Sequence, residues 1–103
     1  MRLQKSTVRV GGQVFRIERS VVPDGNHNFA ETSYLSRAIR IGKGCDSGHL
    51  PATLMHELLH AVSGDRALGL KEGQVESIAN GLTAALIDLG ILEDEMFLLE
   101  DND

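Results

Sequence analysis

Residues 53–60 read TLMHELLH, so His56 and His60 stand four positions apart with Glu57 directly after the first. On an α-helix, side chains at i and i+4 lie one turn apart on the same face. Two imidazoles so placed can reach one tetrahedral cation at ~2.0–2.1 Å. Glu57 then projects slightly aside, toward an open coordination position, where a carboxylate can take a proton from metal-activated water. The spacing predicts one Zn2+ per chain and hydrolysis with Glu57 as general base. A third protein ligand must come from elsewhere in the chain. The same five-residue pattern also arises by chance, and two histidines on a helix can serve packing or solubility alone.

The elements that hold this cluster can be read from periodicity. At ~100° per residue, Leu54, Met55, Leu58, Leu59, Ala61 and Val62 cover an arc of roughly 160°. His56 and His60 lie opposite, with Glu57 beside them. Such a helix is expected to be largely buried, and its stripe of polar groups then needs a partner. Pro51 suits the first turn, Asp46 or Ser47 could cap slightly earlier, and Gly64 is the expected stop. A second helix is expected from about Lys71 to Leu89, with Val75, Ile78, Ala79, Leu82, Leu86 and Leu89 at helical spacing and Gly90 after its end.

The first half reads as strands. Val8 and Val10 alternate with polar neighbours, Gly11-Gly12 offers a turn, and Phe15 and Ile17 resume the alternation, which is a hairpin pattern. Residues 23–28, PDGNHN, form a loop by turn chemistry. In Ala38–Ile41, Ile39 and Ile41 share one face and Arg40 takes the other, as in a further strand. The expected fold class is α+β. A small antiparallel or mixed sheet (residues 1–45) packs on two helices (residues 46–90), an acidic tail (residues 91–103) follows, and the whole is one domain.

Composition narrows the partners. The chain has 103 residues and a net charge of −5. Residues 1–43 hold eight Lys/Arg against three Asp/Glu, whereas residues 77–103 hold seven Asp/Glu and no Lys or Arg. The basic residues are spread along strands without a dense cluster. Nucleic acid is therefore not an expected partner, and sheet and tail are expected to complement each other within the fold. MRLQKSTVRV has no apolar run for a signal peptide, and no stretch approaches the ~18 apolar residues of a membrane span. Cys45 is the single cysteine. A cytoplasmic protein without a membrane partner is expected.

The third ligand has several candidates. A metzincin-type third histidine is excluded, because the required glycine and histidine positions hold Ser63 and Arg66. His49 would share the face only if the helix ran backwards through Pro51, and His27 lies in a distant loop. Two carboxylates remain, Glu76 and Glu72, both just off the edge of a second-helix stripe that centres near Leu82. Asn80, one turn after Glu76, could hydrogen-bond a ligating histidine.

HELLH followed by VESIANGL resembles the gluzincins, zinc peptidases with HExxH and a glutamate on a following helix. Residues 30 to about 90 look most like small prokaryotic or phage minigluzincin and ImmA/IrrE-type domains. The resemblance implies His56, His60 and Glu76 as zinc ligands and Glu57 as general base. It also implies an edge strand above the site. Ala38, Ile39, Arg40 and Ile41 would form it and hold an extended peptide or protein substrate by β-addition.

After Glu76 the chain has no His, Tyr, Lys or Arg. A helper for the developing oxyanion must therefore come from Tyr34, Arg37, Arg40, Arg66 or backbone amides. Cys45 could block the open zinc position as a thiolate, or be a bystander. The segment 96–100, MFLLE, could plug the cleft, or simply pack on the core. Zinc-dependent peptide hydrolysis is the expected function. The alternatives are a zinc-binding regulatory or interaction module of phage or prokaryotic origin with little peptidase activity, and a metal-free helical adaptor.

Overall fold

In a computed structural model, which describes residues 1–20 and 30–98, four strands precede two helices. The strands are β1 (Thr7–Val10), β2 (Gln13–Ser20), β3 (Ala30–Ser33) and β4 (Ala38–Gly42); the helices are α1 (Leu50–Arg66) and α2 (Glu72–Asp88). This is the expected α+β arrangement. His27 and the 23–28 loop lie outside the described residues. Among the described residues no helix is long and apolar enough to cross a membrane.

The hairpin forms where the alternation places it. Gly11 takes φ 58° at the first position of the two-residue turn, and Val8 pairs with Phe15. A side chain there would be strained and would collide with the Asp65 carboxylate. The sheet order is β1-β2-β4-β3, with β4 parallel to β2 and antiparallel to β3.

The expectation that Ala38–Ile41 is an edge strand is therefore corrected. β4 lies between two neighbours, and Ala38, Ile39 and Ile41 are fully buried. The edge facing the helices is β3. Only a strand covered on both sides can bury so apolar a sequence, whereas β3, reading AETS, tolerates half-exposure.

The core lies between the sheet's inner face (Val10, Phe15, Ile17, Ile39, Ile41) and α1 (Leu50, Leu54, Ala61). Met96 and Leu98 close it. The described part of the tail packs by backbone bonds from Met96 to Ser47 and between Phe97 and both Met1 and Leu3. It does not plug the cleft. In the tail, Glu93 lies 3.3 Å from the N-terminal ammonium. Arg40 is flanked in register by Glu18 and Glu31 and contacts both, at 3.0 and 3.6 Å, so its carboxylates come from neighbouring strands and not from the tail.

α1 does not stop at Gly64. It runs to Arg66 and ends with Ala67 in the left-handed region at φ 54°. Gly64 is inside the helix, where a Cβ would stand 2.9 Å from Tyr34 Cδ2. Its role is the close approach of that ring.

Because Met96 and Leu98 are 4% exposed, truncating either should leave a cavity under the sheet. Met96→Ala or Leu98→Ala is expected to destabilise the fold by about 2–5 kcal/mol in urea unfolding. A chain ending at Gly90 should lose stability and gain no activity.

Candidate metal centre

α1 carries the two histidines on a half-covered face. Their side chains are 21% and 31% exposed, and the Nε2 atoms lie 3.2 Å apart. The buried stripe of α1 is Leu50, Leu54, Glu57 and Ala61, while Met55 and Leu59 are only half-buried. Glu57 thus sits at the border between core and histidines, and the arc of roughly 160° expected from apolar residues alone is rotated toward it.

The third partner, a carboxylate, is Glu72. Its Oε1 lies 2.5 Å from His56 Nε2, and its Oε2 lies 3.0 Å from His60 Nε2. The route to this position is short. The Leu68 N–H donates to the Ser63 carbonyl at 2.9 Å, and the Leu70 N–H donates to Ser63 Oγ at 3.1 Å. Buried Ser63 thereby folds the connection back on the end of α1. The Lys71 N–H is taken by Gln74 Oε1 at 2.9 Å, and Glu72 follows as the first helical residue. A carboxylate there is favoured by the exposed amides of the first turn.

The preference for Glu76 is not met by this geometry. The stripe that α2 buries is Val75, Ala79 and Thr83, not one centred on Leu82, which is 45% exposed. Glu72 lies on the buried line, whereas Glu76 is turned roughly 60° away from it and is exposed. Asn80 is exposed as well, and no contact joins it to either histidine.

The cluster suits a small divalent cation. Two imidazole nitrogens and a carboxylate are a zinc donor set that leaves one position open, and a tetrahedron with zinc bond lengths has edges of about 3.3 Å. The observed separations of 2.5, 3.0 and 3.2 Å, the first two to different oxygens of Glu72, all fall below that edge, so the donors are close enough to share one ion after opening outward by less than about 1 Å. The Glu72 side chain is 67% exposed, so a carboxylate–imidazole pair alone would gain little from its attraction.

Glu57 is 6% exposed, and its carboxyl is held by the sheet. Thr32 pairs with Ile39 across β3 and β4 and so shares the core-facing side. Its Oγ1 lies 2.6 Å from Glu57 Oε1 and 3.1 Å from the Glu57 carbonyl oxygen. Burial pushes the Glu57 carboxyl above the usual carboxylate range, against the Thr32 hydroxyl and the two imidazoles, which pull it down. A base so placed sits closer to neutrality than a free glutamate. Sequence reasoning missed Thr32, and no motif marks it; only the pairing of β3 with β4 turns it toward α1.

These residues line an open cleft of about 470 Å³, bounded by β3 on one side and by Tyr34, Gly64 and Glu72 on the other. Among the expected helpers only Tyr34 lines it. The ring stands edge-on to Phe15 at 5.6 Å, and its hydroxyl lies 3.3 Å from Asp65 Oδ1. Partial desolvation, then Asp65, raises the Tyr34 hydroxyl pKa above its ordinary value.

The other three are not brought to the site. Arg40 is tied to Glu18 and Glu31 on the outer face, Arg37 is exposed in the β3–β4 turn, and Arg66 lies beside Asp65 at 3.6 Å. His49 precedes α1 and contacts Asp46 Oδ1 at 2.8 Å. Cys45 is buried in the core, its Sγ 3.6 Å from Thr53 Oγ1, and does not reach the cleft.

If the cluster binds zinc, Glu72→Ala should abolish stoichiometric uptake in elemental analysis while Glu76→Ala keeps it. The reverse result would restore the later glutamate. This chain matches no protein-family model, no curated protein and no solved structure.

Proposed function

We propose that this chain is a zinc-dependent peptidase in which His56, His60 and Glu72 hold the metal and Glu57 is the general base. One observation carries the reading. The His56 and His60 Nε2 atoms lie 3.2 Å apart and each meets one carboxylate oxygen of Glu72, at 2.5 and 3.0 Å, beside a buried carboxylate and in a cleft bounded by the edge strand of the described sheet. Bound zinc would supply Lewis acidity, polarising a peptide carbonyl and lowering the pKa of a water toward ~7.

The chain's own groups do the rest. β3 is the terminal strand on this side of the described sheet. Its free backbone groups can pair with an extended peptide and lay the scissile bond across the cleft. Glu57 removes one proton from the attacking water, whose oxygen joins the carbonyl carbon. The same carboxyl returns that proton to the departing amine as the C–N bond breaks. Thr32 fixes Oε1, which limits rotation of the carboxylate and leaves the second oxygen for the proton. Tyr34, once released from Asp65, is the side chain placed to donate to the developing oxyanion.

A second reading has its own support. Among the described residues no Lys or Arg lines the cleft, and the Tyr34 hydroxyl is engaged with Asp65. These features favour a zinc-binding interaction module with little hydrolysis, in which the metal ties α2 to α1.

Cleavage of a broad peptide library by the zinc-loaded chain separates the two readings. Under the peptidase reading, Glu57→Gln retains zinc but loses activity by about a thousandfold, within the usual range for a general base. Zinc-replete protein that cleaves nothing leaves only the module. Thr32→Val should lower kcat by about tenfold with KM and zinc content unchanged, and Thr32→Ser should restore it.

A further inference from the structure

The direction of each backbone group in β4 follows from its parallel partner. The Arg16 N–H donates to the Arg37 carbonyl at 2.9 Å, and the Lys43 N–H donates to the Ser20 carbonyl at 3.2 Å. Odd-numbered residues of β4 therefore aim their backbone groups at β2, and Ala38 and Arg40 aim theirs at β3. Register then sorts β3. Glu31 and Ser33, opposite Arg40 and Ala38, bond to β4. Ala30 and Thr32 point their amides and carbonyls the other way, along the edge that bounds the cleft.

An extended peptide laid on this edge meets the backbone of Thr32, and alternation fixes where its side chains go. The residue opposite Thr32 turns to the side of the histidines. The residue opposite Glu31 turns to the outer face of the sheet. In an antiparallel pairing it takes the non-hydrogen-bonded position, where side chains come closest.

That outer face carries a row of alternating charge. Glu18 on β2, Arg40 on β4 and Glu31 on β3 stand side by side in register. Arg40 lies nearer to Glu18, at 3.0 Å, than to Glu31, at 3.6 Å. One guanidinium is thus shared by two carboxylates, and the row ends at the edge on Glu31, whose side chain is 40% exposed. The next strand in the row is the peptide. A cation in it continues the alternation, and an anion sets like charges side by side. Among the described residues no Lys or Arg lines the cleft to repel a basic side chain.

We infer that Glu31 is a specificity-determining residue, and that the peptide taken on β3 carries Lys or Arg at the position facing it. This rests on the strand-addition part of the proposed function and not on catalysis. The probe is a capped, uncharged, extended peptide of about ten residues with one central position set to Lys, Gln or Glu. Fluorescence anisotropy follows its binding to the zinc-loaded full chain carrying Glu57→Gln, which holds the peptide without cutting it. The Lys peptide should bind roughly tenfold more tightly than the Glu peptide, with Gln between them. Adding Glu31→Gln should remove that order, and Glu31→Lys should reverse it. Glu31→Gln alone decides the matter should the charge reversal beside Arg40 fail to fold. Glu76→Gln, an equal change of net charge at an exposed residue of α2, should leave the order in place. Binding without a charge order, or an order that the Glu31 variants leave unchanged, overturns the inference while the peptidase reading stands. Failure of every peptide to bind overturns both. Ordered binding of peptides that the wild-type chain leaves uncut supports the inference and overturns only the peptidase reading.

Discussion

The packing of α2 on α1 through Val75, Ala79 and Thr83 sets the geometry of the site. These side chains are small, and they fix the rotation of α2 about its own axis. Glu72, three residues before Val75, lies on the same line and is delivered to His56 and His60. A rotation of one helical position, ~100°, would carry its carboxylate away and turn another residue inward. Ser63 supports this arrangement from the other end. It takes two backbone N–H groups of the connection and so fixes where α2 begins.

The same helix makes the sheet part of the site. Glu57 is drawn into the border of the core by its place between Leu54 and Ala61, and a buried carboxylate needs a partner. Thr32 supplies one because β3 pairs with β4 in a register that turns Thr32 inward and Glu31 outward. Slipping that register by one residue would exchange the two and put a glutamate against Glu57. The order β1-β2-β4-β3 thus does two things at once. It buries the apolar β4, and it leaves a polar edge strand beside the histidines.

A protein of this size has little core to spare, and its distribution shows how it is used. The sheet, α1 and the Met96–Leu98 segment share one cluster, while α2 adds a narrow second layer held by α1. That leaves half of α2's aliphatic side chains unburied within a single copy. The metal reading follows from this economy, since it supplies α2 with a further attachment at its first turn.

The local features were legible in the chain itself. The i, i+4 histidines with Glu57 between them, the hairpin at Gly11, the start of α1 near Pro51 and the span of α2 all follow from spacing and turn chemistry within a few residues. Three things could not be read that way. The resemblance carried by HELLH and VESIANGL put Glu76 ahead of Glu72, and hydrophobicity favoured Leu82 as the centre of the buried stripe; the smaller Ala79 and Thr83 turned inward because they fit closely against α1. The apolar Ala38–Ile41 was taken for the edge strand, and it became the centre because β2 and β3 both pair with it. Gly64 looked like a stop and proved to be the seat of the Tyr34 ring. In each case the sequence determined what an element is, a matter of neighbouring residues. Which face turns inward and which strand stays free depends on partners distant in the chain, and only the tertiary structure decided that.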